Sequence, residues 1–283
     1  MRILLLTSAA LIGFSANSLL TRAALQAGRL DALTFMGVRL VSGALMLWLI
    51  LRWRRAPAVL EDGAPKSALA LFGYAILFTI AYILIGASVG ALILFGAVQL
   101  TMITWGLAKG ERPGPLLWTG FALAVGGLAA LTLPGASRPD LAGAALMAVA
   151  GMAWGVYSLR GRSAPDPVAA NARNFLWASL WAALPALALV RLETVTPKGL
   201  MLAAVSGAVT SGLGYAVWYR ALRGLGAVKA AVVQLPTPVL TALGAVLFLG
   251  EPVTGRLAGA GAAVLAGVAL VLASKSRAVS RSS

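Results

Sequence analysis

Apolar residues run along this chain in blocks of about twenty, separated by short stretches carrying glycine, proline and charge. Ten blocks can be drawn, at roughly 3–21, 32–51, 67–84, 88–107, 115–133, 139–159, 168–190, 199–220, 227–249 and 255–273. At about 1.5 Å per residue, each is long enough to cross the hydrocarbon core of a bilayer as a helix. Ile85-Gly86-Ala87 predicts a tight hairpin, and the longest connection, Arg52 to Lys66, carries four basic residues. The ninth block differs from the rest. Within Leu225 to Pro252, LGAVKAAVVQLPTPVLTALGAVLFLGEP, Pro236 and Pro238 have no amide hydrogen, so a continuous helix would leave the carbonyls of Val232 and Gln234 without donors. Such groups are tolerated at membrane depth only against protein or a water-filled cavity. Pro236 and Pro238 are therefore read as hinge or gating residues, and Gln234 beside them as a binding candidate.

The ninth block has a partner. Sliding the chain by 140 residues places Ile85-Gly86-Ala87 on Leu225-Gly226-Ala227 and Lys109-Gly110-Glu111 on Leu249-Gly250-Glu251 without a gap. The glycine-rich fifth and tenth blocks match as well, which makes the chain two copies of one unit, residues 1–136 and 137–283. Five spans per copy is an odd number, so the second copy must be inverted relative to the first. The expected fold is an all-α polytopic membrane protein, ten transmembrane helices in two inverted five-helix repeats. Repeats of this kind place solute at the midplane and work by rocking one bundle against the other. Glycine suits close helix approach in lipid, so blocks 115–133 and 255–273 read as packing or dimerisation helices that do not touch solute, in a monomer or homodimer.

Composition agrees with a bilayer environment. Hydrophobic residues make up 60% and charged residues 11% of the 283, with a mean hydropathy of +0.91. A net charge of +15 would raise nucleic acid as a partner for a soluble chain, but here the basic residues collect in loops and no nucleic-acid partner is expected. With the N-terminus inside, sixteen Lys and Arg fall on the cytoplasmic side and six outside, so both termini are read as cytoplasmic. The first block is too long for a cleavable leader, and Asn17 to Arg22 offers no small-residue cleavage site. The absence of Cys and His excludes disulfides, thiolate chemistry and the commonest zinc ligands, and no cofactor or metal is expected.

Candidate binding residues stand out against this apolar ground. Tyr74, Phe78 and Tyr82 recur every four residues on one helix face; Tyr215, Trp218 and Tyr219 repeat the habit in the eighth block, and Trp154 and Tyr157 in the sixth. Aromatics near span ends belong to the interfacial belt, whereas Phe78, Tyr82, Trp154 and Tyr215 lie deep enough to line a cavity. Walls of this kind suit a flat, amphipathic or cationic solute. Gln99, Asn171, Asn174 and Gln234 are costly in lipid and should face the interior. Arg39, inside the second span, reads either as a partner for a solute carboxylate or as a structural arginine that snorkels or binds backbone carbonyls. Every acid lies in a loop or at a helix end, so a buried proton relay has no obvious carrier, and facilitated passage or exchange is expected.

Several short motifs resemble a known superfamily. These are the opening Ile12 to Leu19 (IGFSANSL), Arg39 eight residues after Asp31, and a GAxxxA start with a GE finish on the fourth and ninth spans. Together they resemble the drug/metabolite transporter superfamily, EamA type, and within it the YddG-type bacterial exporters of aromatic amino acids. The resemblance implies an inner-membrane exporter of aromatic or hydrophobic amino acids, with a central cavity formed by the third, fourth, eighth and ninth helices among others. It brings Thr101 and Trp218 into the candidate surface with Phe78, Tyr82, Tyr215 and Gln234. The pattern departs in one place, since Trp154-Gly155 opens the second copy where the first has Phe14-Ser15. A multidrug or sugar-nucleotide carrier is the rival within transport. A membrane-embedded enzyme is the rival outside it, and no nucleophile, base or metal set is visible for that chemistry.

Overall fold

The computed structural model describes residues 2–25, 28–55, 64–85, 87–133, 140–188, 195–250, 252–274 and 277–278. Gly86 of the expected hairpin and the loop or end charges Glu61, Asp62, Arg138, Arg191, Glu193, Glu251, Lys275 and Arg281 lie outside them. Helices α1 (Arg2–Leu25), α2 (Ala32–Trp53), α3 (Ala64–Leu84), α4 (Ala87–Ala108) and α5 (Pro115–Thr132) form the first five spans. They are followed by α6 (Leu141–Gly161), α7 (Pro167–Ala188), α8 (Pro197–Leu222), α9 in two pieces (Ala227–Val232 and Pro236–Leu249) and α10 (Gly255–Ala273). Among the described residues nine helices are long and apolar enough to cross a membrane; α7 has the length but carries Asn171, Arg173 and Asn174 in its first half. The protein is thus an all-helical, multi-pass membrane protein. One minor addition is an antiparallel pair of two-residue strands, β1 (Glu111–Arg112) and β2 (Arg277–Ala278), which ties the chain after α4 to the chain after α10.

Local chemistry sets the helix ends. Asp31, Asp140, Thr196 and Thr254 cap α2, α6, α8 and α10 by accepting from the backbone N–H three residues on. Gly110 (φ 84°) and Gly250 (φ 70°), 140 positions apart, both adopt the left-handed conformation that leads out of a span, and this accounts for glycine in both GE pairs.

Contacts between helices come in pairs that exchange of the two halves would map onto one another. α3 packs on α6 as α8 does on α1, α4 on α6 as α9 on α1, and α2 on α8 as α7 on α3, while α2 with α7, α4 with α9 and α5 with α10 map onto themselves. Glycine lets α5 and α10 approach closely: a Cβ on Gly120 would stand 2.5 Å from the Gly267 carbonyl oxygen, and one on Gly127 2.9 Å from that of Ala260. The outward faces are apolar, as at Leu100, Leu247 and Phe248, and form a surface for lipid.

The ninth span departs from the expectation for its carbonyls. Pro236 and Pro238 fall in the first turn of its second piece, where no donor is required, and the break lies at 233–235. The Val232 carbonyl accepts from the Leu235 N–H at 3.0 Å and the Gln234 carbonyl from the Thr237 N–H at 3.0 Å. Tight i to i+3 turns therefore satisfy both groups, and neither is left open.

Candidate functional site

A cavity of about 450 Å³ sits between the two halves. Its walls come from the C-terminal parts of α1, α3 and α9 and the N-terminal parts of α4, α6 and α10, so it opens at the end of the molecule away from the N-terminus of α1. Helical spacing explains which residues face it. On α1 these are Phe14, Asn17, Ser18, Thr21 and Arg22; on α3, Tyr74, Phe78 and Tyr82; on α9, Gln234, Thr237, Pro238 and Thr241.

The walls differ in chemistry. On one side α3, α4 and α6 present Phe78, Tyr82, Leu94, Phe95, Val98, Met147 and Trp154, an aromatic and aliphatic surface. On the other, α1, α9 and the start of α10 present Asn17, Ser18, Thr21, Arg22, Thr237, Thr241 and Arg256. Thr237 is 5% exposed and its hydroxyl has no partner among the described residues, so it offers a buried donor and acceptor on the polar side. No acidic residue among those described lines the cavity, and no His, Cys, Asp and Glu cluster there could hold a metal.

An aromatic cluster makes the floor. Trp154 packs on Phe14, Tyr74 and Tyr215 with ring centroids 5.4, 5.0 and 4.8 Å away. Its indole Nε1–H donates to Gln234 Oε1 at 2.8 Å, and Gln234 in turn donates from Nε2 to the Ala230 carbonyl at 3.0 Å. The side chain beside the helix break thus fixes the orientation of the floor tryptophan. The break itself is pinned to α1, where the Ser15 hydroxyl donates to the Thr237 carbonyl at 3.1 Å, and to α4, where Gln99 Nε2 donates to the Ala231 carbonyl at 2.9 Å. Asn17 Oδ1 accepts from Ser206 at 2.6 Å, joining α1 to the π-helical turn of α8.

A family model for EamA-like transporters matches residues 141–273, the run from α6 to the end of α10. The chain is also 53% identical over 272 residues to an uncharacterized protein of Pseudomonas aeruginosa, covering 96% of this chain and 95% of that protein. This chain belongs to the EamA-like transporter family. A crystal structure shares the fold with a TM-score of 0.78 over 94% of this chain and 98% of that one, at 21% identity. The protein is accordingly a membrane transporter of small molecules, and the cavity is the candidate solute site of an EamA-like transporter.

Of the residues singled out from the sequence, Phe78, Tyr82, Trp154, Tyr215, Gln234 and Pro238 come together around the cavity of this EamA-like transporter. Four do not. Thr101 lies one turn beyond Val98, packs at 2.9 Å on the position a Gly155 Cβ would take, and returns its hydroxyl to the Ala97 carbonyl at 2.8 Å. Trp218 lies one turn beyond Tyr215, is fully buried and donates to the Ser158 hydroxyl at 3.1 Å. Arg39 is buried (3% exposed), near enough to Tyr74 to interact with it electrostatically, and is not among the residues lining the cavity. Pro236 opens the second piece of α9 without reaching the cavity surface. The end residues Leu131 and Thr132 of α5 and Arg256 and Leu257 of α10 do line the mouth, contrary to the expectation that those helices stay clear of solute. Arg22 and Arg256 read in sequence as loop charges, and the missed signal is the spacing 14, 18, 22, which continues the α1 face to the mouth.

Proposed function

We propose that this transporter exports aromatic or hydrophobic amino acids and related small metabolites across a bacterial inner membrane. Residues 1–136 and 137–283 act as two inverted halves, both termini are cytoplasmic, and solute passes by alternating access as facilitated transport or exchange. The observation that carries the reading is the division of the cavity between an aromatic wall on α3, α4 and α6 and an amide, hydroxyl and arginine strip on α1, α9 and α10. An amino acid with an apolar side chain has the matching polarity, its side chain for the first wall and its carboxylate for the strip. With the N-terminus cytoplasmic, the mouth faces outward. A drug carrier with an embedded carboxylate is supported less well, because no acid among the described residues lines the wall.

Proteoliposomes loaded with labelled phenylalanine, leucine or a sugar nucleotide, with and without a pH gradient, test the proposal. Efflux of phenylalanine and leucine that needs no gradient is expected. Movement of the sugar nucleotide alone, or a strict requirement for the gradient, would overturn the solute or the facilitative part respectively.

A further inference from the structure

The end of the molecule opposite the mouth is closed by polar contacts as well as apolar packing. Glu111, just past α4, turns its carboxylate onto the start of α9. Its Oε1 accepts from the Ala227 N–H at 2.5 Å and its Oε2 from the Val228 N–H at 3.0 Å. Arg162, just past α6, stands 3.8 Å from the same carboxylate and donates to the Leu225 carbonyl at 3.0 Å. With side chains 30% and 24% exposed, the ion pair is the weaker part, and the two charge-assisted bonds to backbone amides are the stronger. Glycine permits the approach: a Cβ on Gly226 would stand 2.9 Å from Glu111 Oε2. From the other side β1 holds the Glu111 backbone in register with Ala278.

These contacts join α4, α6 and α9, the same helices whose opposite ends line the mouth. Any rocking that opens the closed end must part the start of α9 from the end of α4, and so must break them. We propose that Glu111, seated on the Ala227 and Val228 amides and backed by Arg162, is the latch that keeps this end shut and that its release is a step of each transport cycle. The inference rests on the alternating-access reading above.

The sequence carries the same set a second time. The 140-residue offset takes Arg22 to Arg162, Ala87-Ser88 to Ala227-Val228 and Glu111 to Glu251. Arg22 lines the mouth, and Glu251 lies outside the described residues. By that offset the latch residues occur twice in the chain, as two states of opposite access require.

The chain contains no cysteine, so one introduced thiol reports alone. Met102→Cys places it in the closed half, where Met102 is fully buried beneath Gln234, and Ala91→Cys places it on the cavity wall. Labelling of the purified full chain by a charged thiol reagent is compared with and without Glu111→Gln. A second background, Gly226→Ala, displaces the carboxylate sterically without changing any charge. In both backgrounds labelling at 102 is expected to rise about tenfold and labelling at 91 to fall, as the population moves toward the opposite state. No change at 102 in either background, or a rise at both sites, would overturn the latch. The readout needs no solute, so a chain that moves none of the amino acids tested would leave this result standing.

Discussion

Gln234 shows what a single polar residue does at membrane depth here. Both ends of its amide are engaged, one holding the Trp154 indole and the other the Ala230 carbonyl, so it shapes the floor as much as it borders the cavity. Gln234→Leu would leave a buried indole N–H unpaired, at a cost of about 1–3 kcal/mol, and free the ring to turn. Transport is expected to fall about tenfold or more while the protein still inserts and folds. A double-mutant cycle with Trp154→Phe checks the cause, because the two losses should be strongly non-additive if the amide acts through the indole. Additive losses would mean that each residue touches solute on its own account. Residues of this kind were readable from sequence as far as helical periodicity goes. It gave the faces of Phe78, Tyr82, Trp154 and Tyr215, while the family resemblance added Thr101 and Trp218. Both lie three residues, about 4.5 Å, beyond the floor toward the closed end. Where a cavity stops along a face depends on which end is open, and periodicity carries no information about that.

At the scale of the helix, the two proline-bearing pieces of α9 were legible as a break but not as the break that exists. The prolines mark the start of the second piece, and three i to i+3 bonds with the Ser15 and Gln99 contacts close the gap before it. Proline chemistry identifies missing donors; it does not say that neighbouring amides will take up the carbonyls in tighter turns. The π-helical stretch Ser206–Leu213 in α8, which packs against α2 and donates from Ser206 to Asn17, left no such mark in the apolar pattern. Pro236→Ala together with Pro238→Ala restores two donors and lets α9 run on as one helix. If the break is needed for movement, the double variant should retain or slightly gain thermal stability and lose most of its transport rate, roughly tenfold. A thermal melt and an efflux time course on the same preparation separate these effects. Parallel loss of both would make the break a packing requirement only.

For the molecule as a whole, the ten spans, their lengths and the offset of 140 were all present in the apolar pattern, because a bilayer leaves the chain little choice of backbone structure. What the pattern lacked was the asymmetry between two nearly equivalent ends, one shut over Glu111 and the other open around Arg22. If the two halves are inverted, as proposed, closing one end and opening the other are a single motion, so stabilising contacts at the two ends must oppose each other. If Glu251, which the 140-residue offset pairs with Glu111 and which lies outside the described residues, latches the opposite end, its role is opposite in sign to that of Glu111. Glu251→Gln should leave the closed end shut and make the opposite state rarer, so labelling of Met102→Cys should fall below that of the otherwise unchanged chain, while Glu111→Gln raises it. Combining the two substitutions should return the labelling toward its starting value, since a two-state equilibrium relieved equally at both ends does not shift. A rise at 102 in Glu251→Gln would instead mean that both carboxylates merely hold the fold together, and the exchange of latches between the ends would have to be given up.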